Sequence, residues 1–463
     1  MIFVKSPIMV LTILLFLNII TNNIIIVIVC QESMEKGRSE FFKIMHFQED
    51  DMNKTQGTSH RVPGRMPAFC FNRMEFAGSL GDLGTILPLA IGMILINGLN
   101  PLGLFLGVGV YYILSGLYFK VTTPVEPMKV IGAYAIATGI SASQIQASSL
   151  WIFLFLLVIG GTGIITLIGR YIPKPVIRGV QLSTGALLIS QGVKLMLGTS
   201  KFQALKAAAE PYLSIQNIGV VPIGLIIGGI LGVLTLLLLE NKRLPAAIIV
   251  VGAGLLTGLF FGTGEGLDQI QLGFNLPKLL PFGIPSVNDF TFALLILVLP
   301  QIPMTLGNAV MANADLSAQY FPEDGRRVTY KALCISMALG NLMSFFLGGM
   351  PMCHGAGGLA SRYRFGARTG GSNLISGAIF IVLALFLGEY FMGILYLLPM
   401  SALGILLIFA GTQLSLTLLD MKTRKEMFVA ILILGITLAA NLAAGFIVGI
   451  ALYYMLRSEK LNV

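Results

Sequence analysis

From Arg73 onward the chain alternates between long apolar runs and short polar interruptions. Most runs are roughly 17–25 residues long, the length that carries a helix across a bilayer. They predict helical spans over 74–96, 101–119, 127–139, 148–169, 174–196, 221–239 and 244–262. A second set follows over 288–306, 330–347, 351–361, 372–388, 391–416, 427–441 and 443–457. The third and tenth are too short to cross, and each is introduced by a proline, Pro127 or Pro351. A proline in the first turn sacrifices no hydrogen bond, because the first amides of a helix lack intrahelical partners. Pro399 offers a point at which 391–416 divides.

The two sets repeat one another. Gly116 and Gly340 stand 224 residues apart, as do Pro127 and Pro351, while Pro173/Pro399 and Gly185/Gly411 stand 226 apart. Seven is odd, so the second copy enters the membrane upside down. The expectation is an all-α polytopic membrane protein, a seven-plus-seven transmembrane inverted repeat with two broken half-helices. Residues 73–262 form the first repeat, 263–287 a connecting segment, 288–457 the second repeat and 458–463 a short cytoplasmic tail. Paired broken helices meeting near the midplane mark secondary transporters. Ahead of this, residues 1–72 hold an apolar run at 7–30 and a mixed-charge linker at 31–66. They read equally as an extra anchor helix or as an artefact of an early start codon, since Met66 or Met74 also begins the repeats.

Charge agrees with this layout. Placing the first span's entry in the cytoplasm puts sixteen basic residues in loops and tail on that side, among them Arg326, Arg327, Lys331, Arg362, Arg364 and Arg368. Only Lys194, Lys201, Lys206 and Lys278 fall opposite, the bias expected of cytoplasmic loops. The composition, 56% hydrophobic and 11% charged, excludes a soluble domain, for which about 25% charge is usual. The net charge of +9 is spread over loops, which argues against a nucleic-acid partner. Four cysteines without a CxxC pair and three histidines point to no metal site and no cofactor.

The candidate chemistry lies where the half-helices begin. Each helix N-terminus is equivalent to roughly +0.5 charge, so two facing ends and Lys129 offset a divalent oxyanion. The candidate substrate-binding residues are Pro127, Met128 and Lys129 in the first stretch, and Pro351, Met352, Cys353, His354, Gly355, Ala356 and Gly357 in the second. Gln301, Thr305 and Asn308 add neutral donors. Lys129 also reads as a lysine that snorkels or pairs only with Glu126, and His354 as a satisfied structural histidine. Glu126 and Asp82 are the intramembrane acids and hence the candidate coupling residues for a proton. Arg362, Arg364 and Arg368 read as a cytoplasmic anchor outside the site.

At these residues a family resemblance emerges. Pro124-Val-Glu-Pro-Met-Lys129 and the run from Gly349 through Met-Pro-Met-Cys-His-Gly-Ala-Gly-Gly to Gly370 resemble the two signature motifs of the molybdate transporter family, a relative of the SulP sulfate permeases. Pro173–Gln181 and Pro300–Val310 also fit, and the resemblance covers roughly 73–457. It implies a core domain holding the site and a gate domain, with alternating access. It further implies a secondary active molybdate importer in the plasma membrane, with a homodimer as the expected assembly. The chain departs from the family where Glu126 replaces a frequent glutamine and where Ser361-Arg362 replaces a neutral pair. It also lacks the STAS domain typical of SulP permeases. Molybdate, tungstate and sulfate are all tetrahedral dianions, so a sulfate or broad oxyanion permease and a non-transporting anion sensor remain alternatives. A nucleobase permease would share the fold, but its site usually relies on carboxylates to hold a neutral ring. An enzyme is disfavoured because His354 has no partner nucleophile in a GxSxG-type setting.

Overall fold

The computed structural model describes residues 67–165, 173–239, 245–267 and 273–457. The apolar run at 7–30, its linker to residue 66 and the tail at 458–463 lie outside the described residues, as do Arg170, Lys242, Arg243 and Lys460 of the charge count. Among the described residues, eight helices are long and apolar enough to cross a bilayer.

The first repeat comprises α1 (Arg73–Ser79), α2 (Leu83–Asn97), α3 (Pro101–Phe119), the half-helix α4 (Lys129–Thr138), α5 (Ala142–Thr162), α6 (Lys174–Leu197), the short α7 (Lys201–Lys206), α8 (Ile223–Leu238) and α9 (Ala246–Phe261). In the second, α10 (Val287–Tyr320) is followed by α11 (Tyr330–Leu347), the half-helix α12 (Ala356–Arg364), α13 (Gly370–Leu387), α14 (Phe391–Leu395), α15 (Met400–Asp420, its last turn 3₁₀), α16 (Arg424–Ala439) and α17 (Leu442–Leu456). Local sequence explains many boundaries. Asn100 caps α3 by accepting from the Gly103 amide at 2.9 Å, with Pro101 in its first turn. Ser141 and Gln144 form a capping box for α5.

Several expectations are corrected. The first span is not continuous: Leu80–Asp82 form a turn between α1 and α2. The eighth span runs on to Tyr320, with π-helical turns at Ala293–Val298 and Thr305–Ala312. Pro300 and Pro303 lack the amide that would keep the α ladder in register there. The twelfth divides at Pro399, the N-cap of α15. Neither short span begins on its proline. Pro127 lies in a two-residue strand, β1 (Glu126–Pro127), and Pro351 just precedes β2 (Met352–Cys353). The strands pair antiparallel, Glu126 opposite Cys353 and Pro127 opposite Met352, so the fold is all-α but for such short bridges.

Packing reveals the inverted symmetry. The central pairs are α3 with α13 and α5 with α11. The repeat offset carries α3 onto α11 and α5 onto α13, so each pair is the image of the other. The third large pair, α6 with α15, maps onto itself. At its crossing a methyl on Gly185 would sit 2.5 Å from the Gly411 carbonyl, and one on Gly411 would sit 2.5 Å from the Gly185 carbonyl. The backbones therefore touch with no side chain between them. Around α6 and α15 gather α8, α9, α16 and α17, forming a gate group beside the core group of α2–α5 and α10–α13.

An ion pair holds the core group together. Arg362, read from sequence as a loop anchor, is fully buried, with Nη1 3.1 Å from Asp82 Oδ1. Its guanidinium also donates to Thr122 Oγ1, Ser79 O, Ser376 Oγ and Asn373 Oδ1. Tyr112 donates to the other Asp82 oxygen at 2.5 Å. Removing Arg362 from the cytoplasmic count leaves the basic bias intact. Breaking a buried pair by removing one partner costs about 3–5 kcal/mol, because a charge is left uncompensated. Arg362→Met is therefore expected to lower the melting temperature of the purified protein, measured by fluorescence-detected size exclusion after heating. Adding Asp82→Asn should recover part of the loss. Equal melting temperatures for the single and double variants would show that the pair is not what the single change broke.

Candidate functional site

The two chain breaks are built as one unit. Besides the β1–β2 pairing, Met128 N donates to Pro351 O at 2.8 Å. Asn373 on α13 clamps the first break, accepting from Thr123 N and donating to Thr123 O. Asn341 on α11 does the same for the second through Met352 N and O. Every such bond matters because unsatisfied backbone in the bilayer interior costs several kcal/mol. The half-helices that follow, α4 and α12, thus start on either side of a rigid hinge of paired backbone.

Lys129 is the first residue of α4, with Met128 as N-cap. Its Nζ lies 3.0 Å from Glu126 Oε2, and its side chain keeps 19% exposure whereas Glu126 has none. Glu126 Oε1 is buried without a hydrogen-bond partner. Its carboxylate abuts the start of α12. A methyl at Gly358 would stand 2.8 Å from Oε1, and one at Gly355 would overlap Oε2 and approach Asn308 Nδ2 to 3.5 Å. Gly355 and Gly358 must therefore be glycine for the carboxylate to occupy this position. Glu126, Lys129, Asn308, Gly355 and Gly357 converge on one small region.

Most of the remaining expected site residues are engaged in the fold around this region. Gln301 does not present donors to a solute. Its Oε1 accepts from Val130 N at 3.0 Å and Ile131 N at 3.2 Å, capping α4 from outside, and its Nε2 donates to Thr305 Oγ1. His354 is committed to the fold. Its Nδ1 lies 2.6 Å from Pro124 O, which can only accept, so Nδ1 carries the proton. Nε2 is then left to accept from Tyr111 and Ser336, at 2.8 and 2.9 Å. Cys353 points its thiol toward Pro127 O, 3.9 Å away. Pro127, Met128, Pro351 and Met352 are buried in the paired breaks, and Asp82 is engaged by Arg362.

A cavity of about 620 Å³ opens between the core and gate groups. From the core it is lined by Thr85, Lys129, Asn308, Gly357, Ser361 and Arg364, and from the gate by Gln181, Thr235, Gln413 and Thr417. Among the described residues that line it, none is acidic. Asn308 makes no hydrogen bond there, leaving its amide open. Leu239, Pro245 and Phe365, which border the predicted basic loops, also line the cavity. Sequence reasoning did not single out the gate residues Thr235, Gln413 and Thr417, which carry no motif, and gave Gln181 only as the end of a family-like stretch. It also missed Arg362, although an aspartate inside an apolar span calls for a nearby cation. No group of three or more His, Cys, Asp or Glu side chains gathers to hold a metal among the described residues.

Comparison with known proteins agrees with this architecture. Residues 74–188 and 293–414 match the family model described as the molybdate transporter of the MFS superfamily. The chain is 30% identical to Molybdate transporter 2 of Arabidopsis thaliana over 84% of its own length and 88% of that protein. It is 31% identical to Molybdate transporter 1 of Chlamydomonas reinhardtii, over 81% and 90% of the two chains. Among solved structures, the transmembrane domain of the cyanobacterial bicarbonate transporter BicA superposes with a TM-score of 0.59 at 16% identity, over 81% of this chain and 98% of that one. The murine anion transporter Slc26a9 gives 0.59 at 15% identity, over 88% and 74%. The fold is thus the inverted repeat of those transporters, and this integral multi-pass membrane protein belongs to the molybdate transporter family.

Proposed function

We propose that the protein is a secondary active importer of molybdate that works by alternating access and is driven by protons. The observation that carries this reading is the cavity between core and gate, lined by Lys129, Arg364 and neutral polar groups and by no acid among the described residues. A tetrahedral dianion finds there one cation at the half-helix junction and the open amide of Asn308. The similar plant and algal proteins are named molybdate transporters, which supports molybdate as the oxyanion.

Charge balance supplies the reason for a proton. With Glu126 ionised, the Lys129–Glu126 pair is neutral and offers nothing net to a dianion. The α4 terminus is already capped by Gln301, and the α12 terminus already faces the Glu126 carboxylate. A dianion entering this arrangement meets roughly +0.5 charge from each end at most, which leaves the half-helix junction about one charge negative. A proton on Glu126 releases Lys129 to pair with the oxyanion and removes one negative charge from the α12 terminus. Oε1, the oxygen with no partner, is the atom left open to receive it. Asp82 suits proton transfer less well, since both of its oxygens are engaged.

Uptake of molybdate into proteoliposomes holding the purified protein is expected to rise when the outside is made acidic, with protons entering alongside the anion. Uptake indifferent to a proton gradient would remove the coupling. Binding without any flux would turn the reading into that of a sensor. Sulfate competing as well as molybdate would mark a broad oxyanion permease.

Lys129→Ala should reduce uptake to background while the variant elutes as wild type on size exclusion; unchanged uptake would take Lys129 out of the site. Glu126→Gln mimics the protonated carboxyl. It should keep molybdate binding, measured by calorimetry, but lose the response of uptake to outside pH. Retention of the wild-type pH response in this variant would exclude Glu126 as the proton carrier.

A further inference from the structure

A second cavity, of about 440 Å³, lies on the side of the basic loops, away from the core–gate space. The end of α3, the loop after α10 and the start of α13 enclose it, contributing Lys120, Glu323, Asp324, Arg326, Arg327 and Arg368. Two of these charges cancel: Arg326 pairs with Glu323 at 2.6 Å, and both are exposed. Asp324 already has a partner. Three cations remain with donors to spare. Lys120 is exposed, and its ammonium is in no hydrogen bond or ion pair among the described residues. Arg327 uses only Nη1, on Tyr118 O at 3.1 Å. Arg368 uses only Nη1, on Tyr363 O and Ala367 O, and lies over the Tyr363 ring at 3.5 Å. Its guanidinium is thereby held in place with Nε and Nη2 unengaged.

The surroundings say what kind of anion fits. Immediately before Lys120, α3 presents Leu114, Leu117 and Tyr118 outward, each about half exposed. Phe71 and Phe76 stand outward nearby on the α1 side, at 67% and 52%. These are faces for acyl chains. The cations follow the end of α3, on the side where the basic bias places the cytoplasm, which is where a bilayer covering those faces would present its phosphate groups. Basic pockets in this position recognise phospholipid headgroups. A phosphate oxygen there meets a planar guanidinium from each of two arginines and one mobile ammonium, the donor set suited to a phosphate ester.

We propose that this pocket binds the phosphate headgroup of an anionic membrane lipid. Bound there, the headgroup ties α3, α10 and α13, three members of the core group, to one another from the cytoplasmic side. The site is separate from the molybdate reading, and neither depends on the other.

Native mass spectrometry of the detergent-purified full chain tests the assignment. Dioleoylphosphatidylglycerol serves as the anionic probe and dioleoylphosphatidylcholine as the neutral one. Wild type should retain phosphatidylglycerol in preference to phosphatidylcholine. Each basic residue near an anionic surface contributes about fivefold in affinity, so Lys120→Gln with Arg327→Gln should weaken phosphatidylglycerol by about 25-fold. Phosphatidylcholine retention should not change. Lys422→Gln with Lys425→Gln removes the same charge elsewhere on that face and should leave phosphatidylglycerol bound. Equal loss in the two double variants, or no preference in wild type, would overturn the proposal. Glycerol 3-phosphate competing at concentrations similar to the lipid would assign the pocket to a soluble phosphate ester and overturn the lipid reading. A melting temperature of the pocket variant equal to wild type in phosphatidylcholine shows that it is folded when these results are read.

Discussion

A polypeptide that breaks two helices inside a bilayer must find partners for the backbone groups it frees, and this requirement organises the whole protein. The solution is to let the breaks satisfy each other. Glu126–Pro127 and Met352–Cys353 pair as strands, and Asn373 and Asn341 clamp the flanking backbone from neighbouring helices. Pro127 and Pro351 fit because a strand of two residues needs few donors. Once the breaks are locked, the directions of α4 and α12 follow, and so does the position of everything at their N-termini. The pairing of α3 with α13 and α5 with α11 then wraps the locked hinge in a symmetric shell.

The symmetry of the backbone is not matched by the charges placed on it. One half-helix begins with a lysine and is capped by a glutamine from α10. The other begins with small residues and faces a glutamate from the opposite repeat. An inverted repeat guarantees two similar geometries, but a solute needs only one site, and divergence of the two copies is what polarises it. The Asp82–Arg362 pair is another such departure, a buried charge pair inserted on one side only of the repeat axis among the described residues.

Much of the fold was legible because a membrane span writes itself in length and hydropathy, and because the repeat offset survives in prolines and glycines. Gly185 and Gly411 could be matched from sequence, and they meet at the crossing of α6 and α15. The site was legible only in part. Lys129, Glu126, Asn308, Gly355 and Gly357 do come together, since charged and small residues beside a helix break have few other uses. The partners of Gln301 and His354 were not legible, because a polar side chain in an apolar span announces that it needs a partner, not which partner. Gln301 found backbone amides and His354 found a carbonyl and two hydroxyls. Arg362 was misplaced for a related reason: six residues into α12 it looks like a loop cation, and only the close approach permitted by Gly81 brings its backbone against the first span.

The glycine crossing of α6 and α15 has a mechanical side. Helices whose backbones rest directly on one another have no deformable side-chain layer to absorb sliding. Gly192 and Gly404, one to two turns further along the same pair, repeat the arrangement. The two long gate helices are therefore joined like the arms of a riveted truss. Shear between the core and gate groups meets less resistance along the cavity, where Leu188, Leu406 and Leu414 on the gate side and Leu89 and Met304 on the core side interpose side chains. The joint of α6 and α15 thus resists shear as a unit, and the side-chain-lined space beside it is the more compliant of the two contacts.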